Sequence, residues 1–358
     1  MKDKNLSAIF YMLAAVILYA TAPVFLYIGE ANNAPFLFNT IRLLFLTIGT
    51  FVFLLLFYKK ELFNIDIWKI LIKNWRKITI LGMLIGLLSE YPMLSWSINY
   101  IDVSVASVLY KTWPFFMILL AGKMFKKEKR YDTVNNIGWC GIIIGIAGMA
   151  FVVLSQHEKI SIAKENDELT IVCLSFFFAI LSGGMGALIA SSCLLWCHNV
   201  MKDFKNEPRL KFYKKEECKN LEIFFMSLIM TLMTAISFII NIVSFVIFGY
   251  EESITNYNFI IAAIFGFFIS SSANIFFRIA HIKTNRLEIN ALSYAGPLFS
   301  LIFLSIMGYV NVEKIEWIAI GTIIIIISNT LLYFKNKIPL IYQYLSLVFC
   351  IIMALSQI

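Results

Sequence analysis

Three ionisable side chains interrupt long apolar stretches of this sequence, namely Arg42, Glu90 and Lys111. A charge inside an apolar helix is costly unless it is paired or faces water, so each marks a candidate functional position. At about 1.5 Å of rise per residue, Arg42 lies about 10 Å from the outer end of its segment, and Glu90 and Lys111 lie about 12 Å from theirs. We expect them to line one cavity, where Glu90 pairs with a base or exchanges a proton and the surplus positive charge attracts a carboxylate or phosphate. The alternative is a structural ion-pair triad, which Arg42 fits best.

Aromatic and amide side chains accompany these charges. Tyr110 and Trp113 flank Lys111 and would offer a stacking or cation–π surface, with ordinary apolar packing as the competing interpretation. Asn274 is a pathway candidate because an amide in lipid requires a partner. The predicted substrate-binding residues are Lys111, Glu90, Trp113, Tyr110, Tyr294, Asn274 and Arg42. No catalytic residue, metal ligand or cofactor is predicted, and His281 is expected to be solvated.

These side chains must be positioned by membrane helices, because 60% of the 358 residues are hydrophobic and 15% are charged, against about 25% charged in soluble domains. Ten apolar segments are each long enough to cross a bilayer core of about 30 Å. They cover residues 6–28, 35–58, 78–98, 103–122, 137–155, 170–196, 221–249, 258–279, 288–308 and 315–334. A further apolar block, 338–357, is either an eleventh span or an interfacial helix. The glycines Gly82, Gly86, Gly183 and Gly184 are expected to allow close helix packing.

The basic residues alternate between the two sides of these segments. Of the 30 lysines and arginines, 25 fall on the side of the N-terminus, Arg278 among them, three fall on the other side, and Arg42 and Lys111 lie inside segments. Because positive charge collects on the cytoplasmic side, this asymmetry predicts ten spans in the cell membrane with a cytoplasmic N-terminus. The net charge of +8 therefore reflects membrane orientation and not nucleic-acid binding.

An internal repeat divides the ten segments into two sets of five. Pro114 in the fourth segment and Pro297 in the ninth are each followed, 24 residues later, by a glycine that opens the next segment, Gly138 and Gly321. An odd number of spans per repeat gives the halves opposite orientations, which is typical of secondary transporters. The predicted divisions are a first repeat over 1–155, an outer linker over 156–169, a second repeat over 170–334 and an apolar tail over 335–358.

Several short motifs resemble the drug/metabolite transporter superfamily in its EamA-like branch, over residues 6–334. They are Pro35 followed by Arg42, Trp113-Pro114, Leu292-Ser293-Tyr294 followed by Pro297, and Glu128 followed by Gly138-Trp139-Cys140-Gly141. The Trp-Pro and Leu-Ser-Tyr motifs are nearest to those of the aromatic amino-acid exporters. The resemblance implies two inverted five-helix repeats and export of a small molecule such as an amino acid.

The function predicted is secondary transport of a small polar metabolite, an amino acid or organic anion, by alternating access. A channel or a lipid-handling membrane protein is the first alternative. A membrane-embedded enzyme is less favoured, because only Glu90 and Lys111 would qualify as a catalytic pair. The expected partners are a small-molecule substrate and the lipid bilayer, and a homodimer is left open.

Overall fold

A computed structural model of the chain describes most of the apolar segments. It covers residues 2–30, 35–88, 90–111, 113, 116, 136–155, 168–206, 215–248, 253–284, 296–309 and 315–334. All regular structure within these ranges is helical. Tyr294 and the tail 335–358 lie outside the described residues, so the predictions made for them stay predictions.

The structure gives the bounds of nine helices between residues 2 and 154. They are α1 (Lys2–Ala20), α2 (Ala22–Glu30), α3 (Pro35–Phe57), α4 (Lys59–Leu62), α5 (Ile65–Lys73), α6 (Trp75–Leu88), α7 (Glu90–Ile98), α8 (Val103–Tyr110) and α9 (Asn136–Leu154). Pro35 opens α3, where its missing N–H has no helical acceptor to lose. Thr21 separates α1 from α2 and donates its hydroxyl to the Leu18 carbonyl at 2.7 Å.

The remaining described helices include a π-helical segment, in which each turn is wider than in an α-helix. They are α10 (Leu169–Asn206), α11 (Lys215–Phe248), α12 (Asn256–Ile264), the π segment (Phe265–Ser270), α13 (Ser271–Thr284), α14 (Gly296–Ile306) and α15 (Ile315–Phe334). The π segment joins α12 to α13 without a break in the helix. Single π turns inside α-helices occur frequently at functional sites.

Five stretches of the described residues are long and apolar enough to cross a membrane: Ser7–Ile28, Phe36–Phe57, Leu169–Gly186, Asn220–Ile247 and Asn256–Lys283. They confirm that the corresponding five predicted segments are membrane-length helices. Two shorter apolar helices, Ile143–Leu154 and Glu316–Ser328, fall in the fifth and tenth segments. The described part of the chain is thus all-helical, and its apolar helices are those of a multi-pass membrane protein.

The helices group into two compact units. The first comprises Met1–Ser95 with Ile189–Ile289, and the second comprises Trp96–Leu188 with Asn290–Ile358. Each unit therefore contains helices from both predicted repeats. A spatial grouping of helices and a repeat in the sequence are different relations, so the repeat boundaries stay a prediction.

In the first unit, contacts along the helices define their relative directions. The pairs Lys283 with Ser7, Phe276 with Tyr11 and Phe265 with Phe25 make α1 and α2 antiparallel to α13 and the π segment. The pairs Phe36 with Phe245 and Tyr58 with Phe224 make α3 antiparallel to α11.

Two glycines bring α3 against the π segment. A Cβ atom built on Gly49 would lie 2.7 Å from the Phe267 carbonyl oxygen, and one built on Gly266 would lie 3.0 Å from the Leu46 nitrogen and closer still to the Arg42 carbonyl. Because residue numbers increase together in these contacts, α3 and the π segment run parallel. Gly82 packs similarly, since its Cβ would lie 2.8 Å from Ile236, which confirms the expected close packing at that residue.

In the second unit, α9 and α15 pack antiparallel. A Cβ atom on Gly148 would lie 2.9 Å from Ile324, and the rings of Phe151 and Trp317 stack with their centroids 5.8 Å apart. In α10, the Cβ of an alanine at Gly183 would collide with the carbonyl oxygen of Tyr110 at the end of α8. The expected packing role of Gly183 is therefore confirmed.

Candidate functional site

Arg42 is buried in α3 with 2% of its surface exposed. Its Nε and Nη2 atoms donate to Asn39 Oδ1 at 3.1 and 2.8 Å, one helical turn away. The guanidinium carbon also lies 5.7 Å from the centroid of the Phe265 ring, which stacks on Phe25 at 5.2 Å. An amide oxygen and an aromatic face thus stabilise a cation within the apolar segment.

Lys111 caps the C-terminal end of α8, where the unpaired carbonyls favour a positive charge. It is 3% exposed, and its Nζ lies 4.8 Å from the centroid of the neighbouring Tyr110 ring. Every residue of α8 is buried, and Trp113 just beyond it is partly buried. The Tyr110 ring thus makes a cation–π contact with Lys111, and Gly183 holds this segment against α10. The predicted cation–π surface of Tyr110 and Trp113 for a substrate stays a prediction.

Glu90 is the first residue of α7, and its side chain lies outside what the structure describes. Glu90 and Arg42 belong to the first unit and Lys111 to the second. The prediction that the three charges share one cavity therefore stays a prediction.

Asn274 has the partners that its position in α13 requires. Its Nδ2 donates to the Ser270 carbonyl at 2.8 Å, and its Oδ1 accepts from Arg278 Nη2 at 3.4 Å. Arg278 Nη1 also donates to the Met226 carbonyl of α11 at 3.2 Å. The Asn274 amide thus connects the buried Arg278 to the backbone carbonyl of Ser270, the last residue of the π segment.

Two positions that the sequence places on the solvated side are in fact buried. Arg278 is expected among the cytoplasmic charges, but it is 4% exposed because the α11 carbonyl and Asn274 bind it inside the unit. His281 is expected to be solvated, but it is 8% exposed and packs edge-on against Phe277 with ring centroids 4.5 Å apart. Since α13 continues to Thr284, both residues lie on the helix and not in a loop.

A seam of hydroxyl groups joins α3 to α11, and sequence reasoning misses it. Thr47 Oγ1 lies 2.9 Å from Thr234 Oγ1, and Thr231 Oγ1 lies 3.0 Å from Thr50 Oγ1. Each hydroxyl also lies 2.8–2.9 Å from a carbonyl of its own helix. Since a hydroxyl has one hydrogen, one member of each pair can donate across the seam while the other accepts and donates to its own carbonyl. Polar residues at helical spacing within each apolar segment are the signal that would have revealed this seam.

The described residues contain no group of three or more His, Cys, Asp or Glu side chains that could hold a metal ion. The chemistry available in the described part is that of buried cations, amides and hydroxyls. Such groups bind small polar or anionic molecules by hydrogen bonds and charge.

Comparisons with known proteins agree with this architecture. Residues 6–154 match the EamA-like transporter family, which suggests a membrane transporter. No curated protein matches the sequence. A solved structure named only "Crystal structure of protein" aligns over 93% of this chain and 99% of its own, with a TM-score of 0.57 and 12% identity. At that identity the likeness concerns the fold alone.

Proposed function

We propose that this chain is a secondary carrier that moves an amino acid or small organic anion across the cell membrane by alternating access. The family match over residues 6–154 supports transport, and the five membrane-length helices support a location in a membrane. The finer elements of the proposal, which are the carrier mechanism, the solute class and the orientation, rest on the helix contacts and buried charges.

The hydroxyl seam is the observation that carries the proposal. Thr47 and Thr231 are 184 residues apart in the sequence, and so are Thr50 and Thr234. The hydrogen bonds are crossed, joining Thr47 to Thr234 and Thr50 to Thr231. A two-fold relation between two repeats produces this crossed pattern, since each contact is the image of the other. Antiparallel packing of α3 and α11 supports repeats of opposite orientation, the arrangement on which alternating access depends.

The helix directions within each unit also support ten alternating spans. In that topology α3 and α12–α13 form the second and eighth spans, which run the same way, and their packing is parallel. The first and eighth spans, the second and seventh, and the fifth and tenth should be antiparallel, and their contacts agree. With the basic loops inside, the N-terminus is cytoplasmic.

The buried cations favour a solute with a negative group. Arg42 and Lys111 are the proposed anion-binding residues, and Glu90 would bind an ammonium group or carry a coupled proton. Tyr110, Trp113, Tyr294 and Asn274 are the proposed neutral contacts. Aromatic amino acids are one case within this class, and a homodimer stays a prediction.

Solute counterflow in proteoliposomes tests the proposal. Vesicles containing the purified chain are loaded with unlabelled serine or malate and then diluted into the labelled compound. Transient accumulation of label above its equilibrium level, absent from protein-free vesicles, is the expected result because only a carrier couples influx to efflux. Label that equilibrates without this overshoot would indicate a channel, and no uptake of either compound would contradict transport of these solutes.

A further inference from the structure

Two buried amides in the first unit each have one polar group without a partner among the described residues. Asn39 is fully buried, and its Oδ1 accepts both hydrogen bonds from Arg42 while its Nδ2 is unpaired. Asn241 is 1% exposed, and its Nδ2 donates to the Ser237 carbonyl at 2.8 Å while its Oδ1 is unpaired. Exchanging the oxygen and nitrogen of the Asn39 amide would place its NH2 group against the Arg42 donors. The same exchange at Asn241 would place its oxygen against the Ser237 carbonyl, so these contacts fix both amide orientations.

The two amides lie at the same level of the antiparallel α3–α11 pair. The residue numbers of the contacting pairs Phe36–Phe245, Thr47–Thr234 and Thr50–Thr231 all add up to 281. By that register Asn241 is opposite residue 40, which places it about 1.5 Å along the axis from Asn39.

Their positions on the helix surfaces turn both amides toward the same space. At about 100° per residue, Asn39 is midway between Phe36, which faces α11, and Arg42, which faces the π segment. Asn241 is midway between Phe245, which faces α3, and Ser237, which donates to the Gly82 carbonyl of α6 at 2.7 Å.

The handedness of the helices places the π segment and α6 on one side of the α3–α11 pair. In a view along the α3 axis from Phe36 toward Phe57, α3 runs away from the viewer. The direction from α3 to the π segment then lies counterclockwise of the direction from α3 to α11. In the same view α11 runs toward the viewer. The direction from α11 to α6 lies clockwise of the direction from α11 to α3. The amides therefore converge between α3, α11, α6 and the π segment, with the Phe36–Phe245 rings beyond them on one side and the Thr47–Thr234 pair on the other.

We propose that Asn39 Nδ2 and Asn241 Oδ1 together bind one neutral polar group of the transported solute, a hydroxyl or an amide. Such a group accepts a hydrogen bond from the first side chain and donates one to the second, which satisfies both buried atoms. Arg42 binds Asn39 and places a guanidinium beside the same position. This inference rests on the proposed function and narrows its solute to an amino acid or small organic anion that also carries a hydroxyl or amide.

Matched solute pairs that differ by one hydroxyl test this inference: serine against alanine, and malate against succinate. Counterflow and thermal unfolding of the detergent-purified full chain are measured with each compound, for the wild type, Asn39→Ala, Asn241→Ala and Ser227→Ala. Ser227 is the control, because it is also a fully buried polar residue of α11 with an unpaired hydroxyl among the described residues. The wild type and Ser227→Ala should prefer the hydroxylated member of a pair by about tenfold, and the Asn variants should lose that preference.

The outcomes separate this inference from the proposed function. Transport in which the Asn variants keep the hydroxyl preference would overturn the inference and leave the carrier function intact, the amides then being paired by structural water. Stabilisation of the wild type but not of the Asn variants by serine or malate, without counterflow, would support the inference and overturn the carrier function. Neither binding nor transport of any of the four compounds would overturn both. If an alanine variant fails to fold, Asn39→Asp, which still accepts from Arg42 but lacks the Nδ2 donor, and Asn241→Leu, which fills the same volume without an acceptor, provide the same comparison.

Discussion

Thr47 and Thr234 hold their hydroxyl oxygens 2.9 Å apart although 187 residues separate them in the sequence. Valine has nearly the same shape as threonine, so replacing either residue removes the hydrogen bond with little change in packing. We expect each single variant to lose about 1 kcal/mol and the pair to be coupled by about 0.6 kcal/mol. A double-mutant cycle on thermal unfolding in detergent measures this coupling.

Thr322→Val is the matched control for that cycle. Thr322 is fully buried in α15, and its hydroxyl donates to the Ile318 carbonyl of its own helix at 2.7 Å. Combined with Thr47→Val, it should be additive. Additivity of Thr47→Val with Thr234→Val as well would show that the seam contributes no interhelical energy.

Adjacent glycines in α10 should respond differently to alanine. At Gly183 a Cβ atom would collide with the Tyr110 carbonyl oxygen, whereas at Gly184 it would lie 3.5 Å from the Phe116 ring, an ordinary contact. We expect Gly183→Ala to lower stability by about 1–3 kcal/mol and to reduce transport by displacing Tyr110 and Lys111. Gly184→Ala should be neutral or slightly stabilising, since alanine favours the helix. Equal melting temperatures for the two variants would contradict the close approach of α8 to α10.

Removing the charge of Lys111 should impair transport of an anionic solute more than it impairs folding. The Nζ atom lies over the Tyr110 ring, so Lys111→Gln loses both the charge and the cation–π contact, while Lys111→Arg keeps both. We expect malate counterflow to fall at least about tenfold in the glutamine variant and less in the arginine variant.

A second lysine serves as its control. Lys283 also lies over a tyrosine ring, 4.6 Å from the centroid of Tyr11, outside the proposed binding residues. Lys283→Gln should retain malate counterflow. If Lys111→Gln retains it as well, Lys111 has a structural role and solute binding must be sought at Arg42, Asn39 and Asn241.

Burial, and to a lesser degree the charge of Glu61, raises the pKa of Tyr58 just after α3. Tyrosine in an unfolded chain titrates near pH 10, so the contribution of this neutral phenol to stability is present below that pH. It is lost as the pH rises through the higher pKa of the folded state. The difference between alkaline absorbance titrations of the wild type and Tyr58→Phe should have its midpoint above pH 10. A midpoint at or below that value would contradict the burial of the phenol.

The long apolar helices can be predicted from the sequence because hydropathy alone determines which stretches cross a membrane. Arg42 and Lys111 are identifiable because a charge stands out in an apolar segment. An amide in such a segment also marks a candidate, as Asn274 does, but only the structure shows that Asn39 and Asn241 each keep one atom without a partner among the described residues. Arg278 is misplaced by sequence reasoning because nearness to a segment end resembles exposure when the continuation of the helix is unknown.

The π segment between Phe265 and Ser270 determines how the protein should respond to the deletion of one residue. A π turn is equivalent to one residue added to an α-helix, and it offsets all later side chains by about 100° around the axis. Deleting Ile269 would remove that added residue, restore a regular α-helix and leave Asn274 and Arg278 facing their partners as before. A one-codon deletion here should therefore be tolerated better than loss of Arg278 itself, whereas deleting one residue between Ser271 and Asn274, where no wide turn absorbs it, should turn Arg278 away from the Met226 carbonyl.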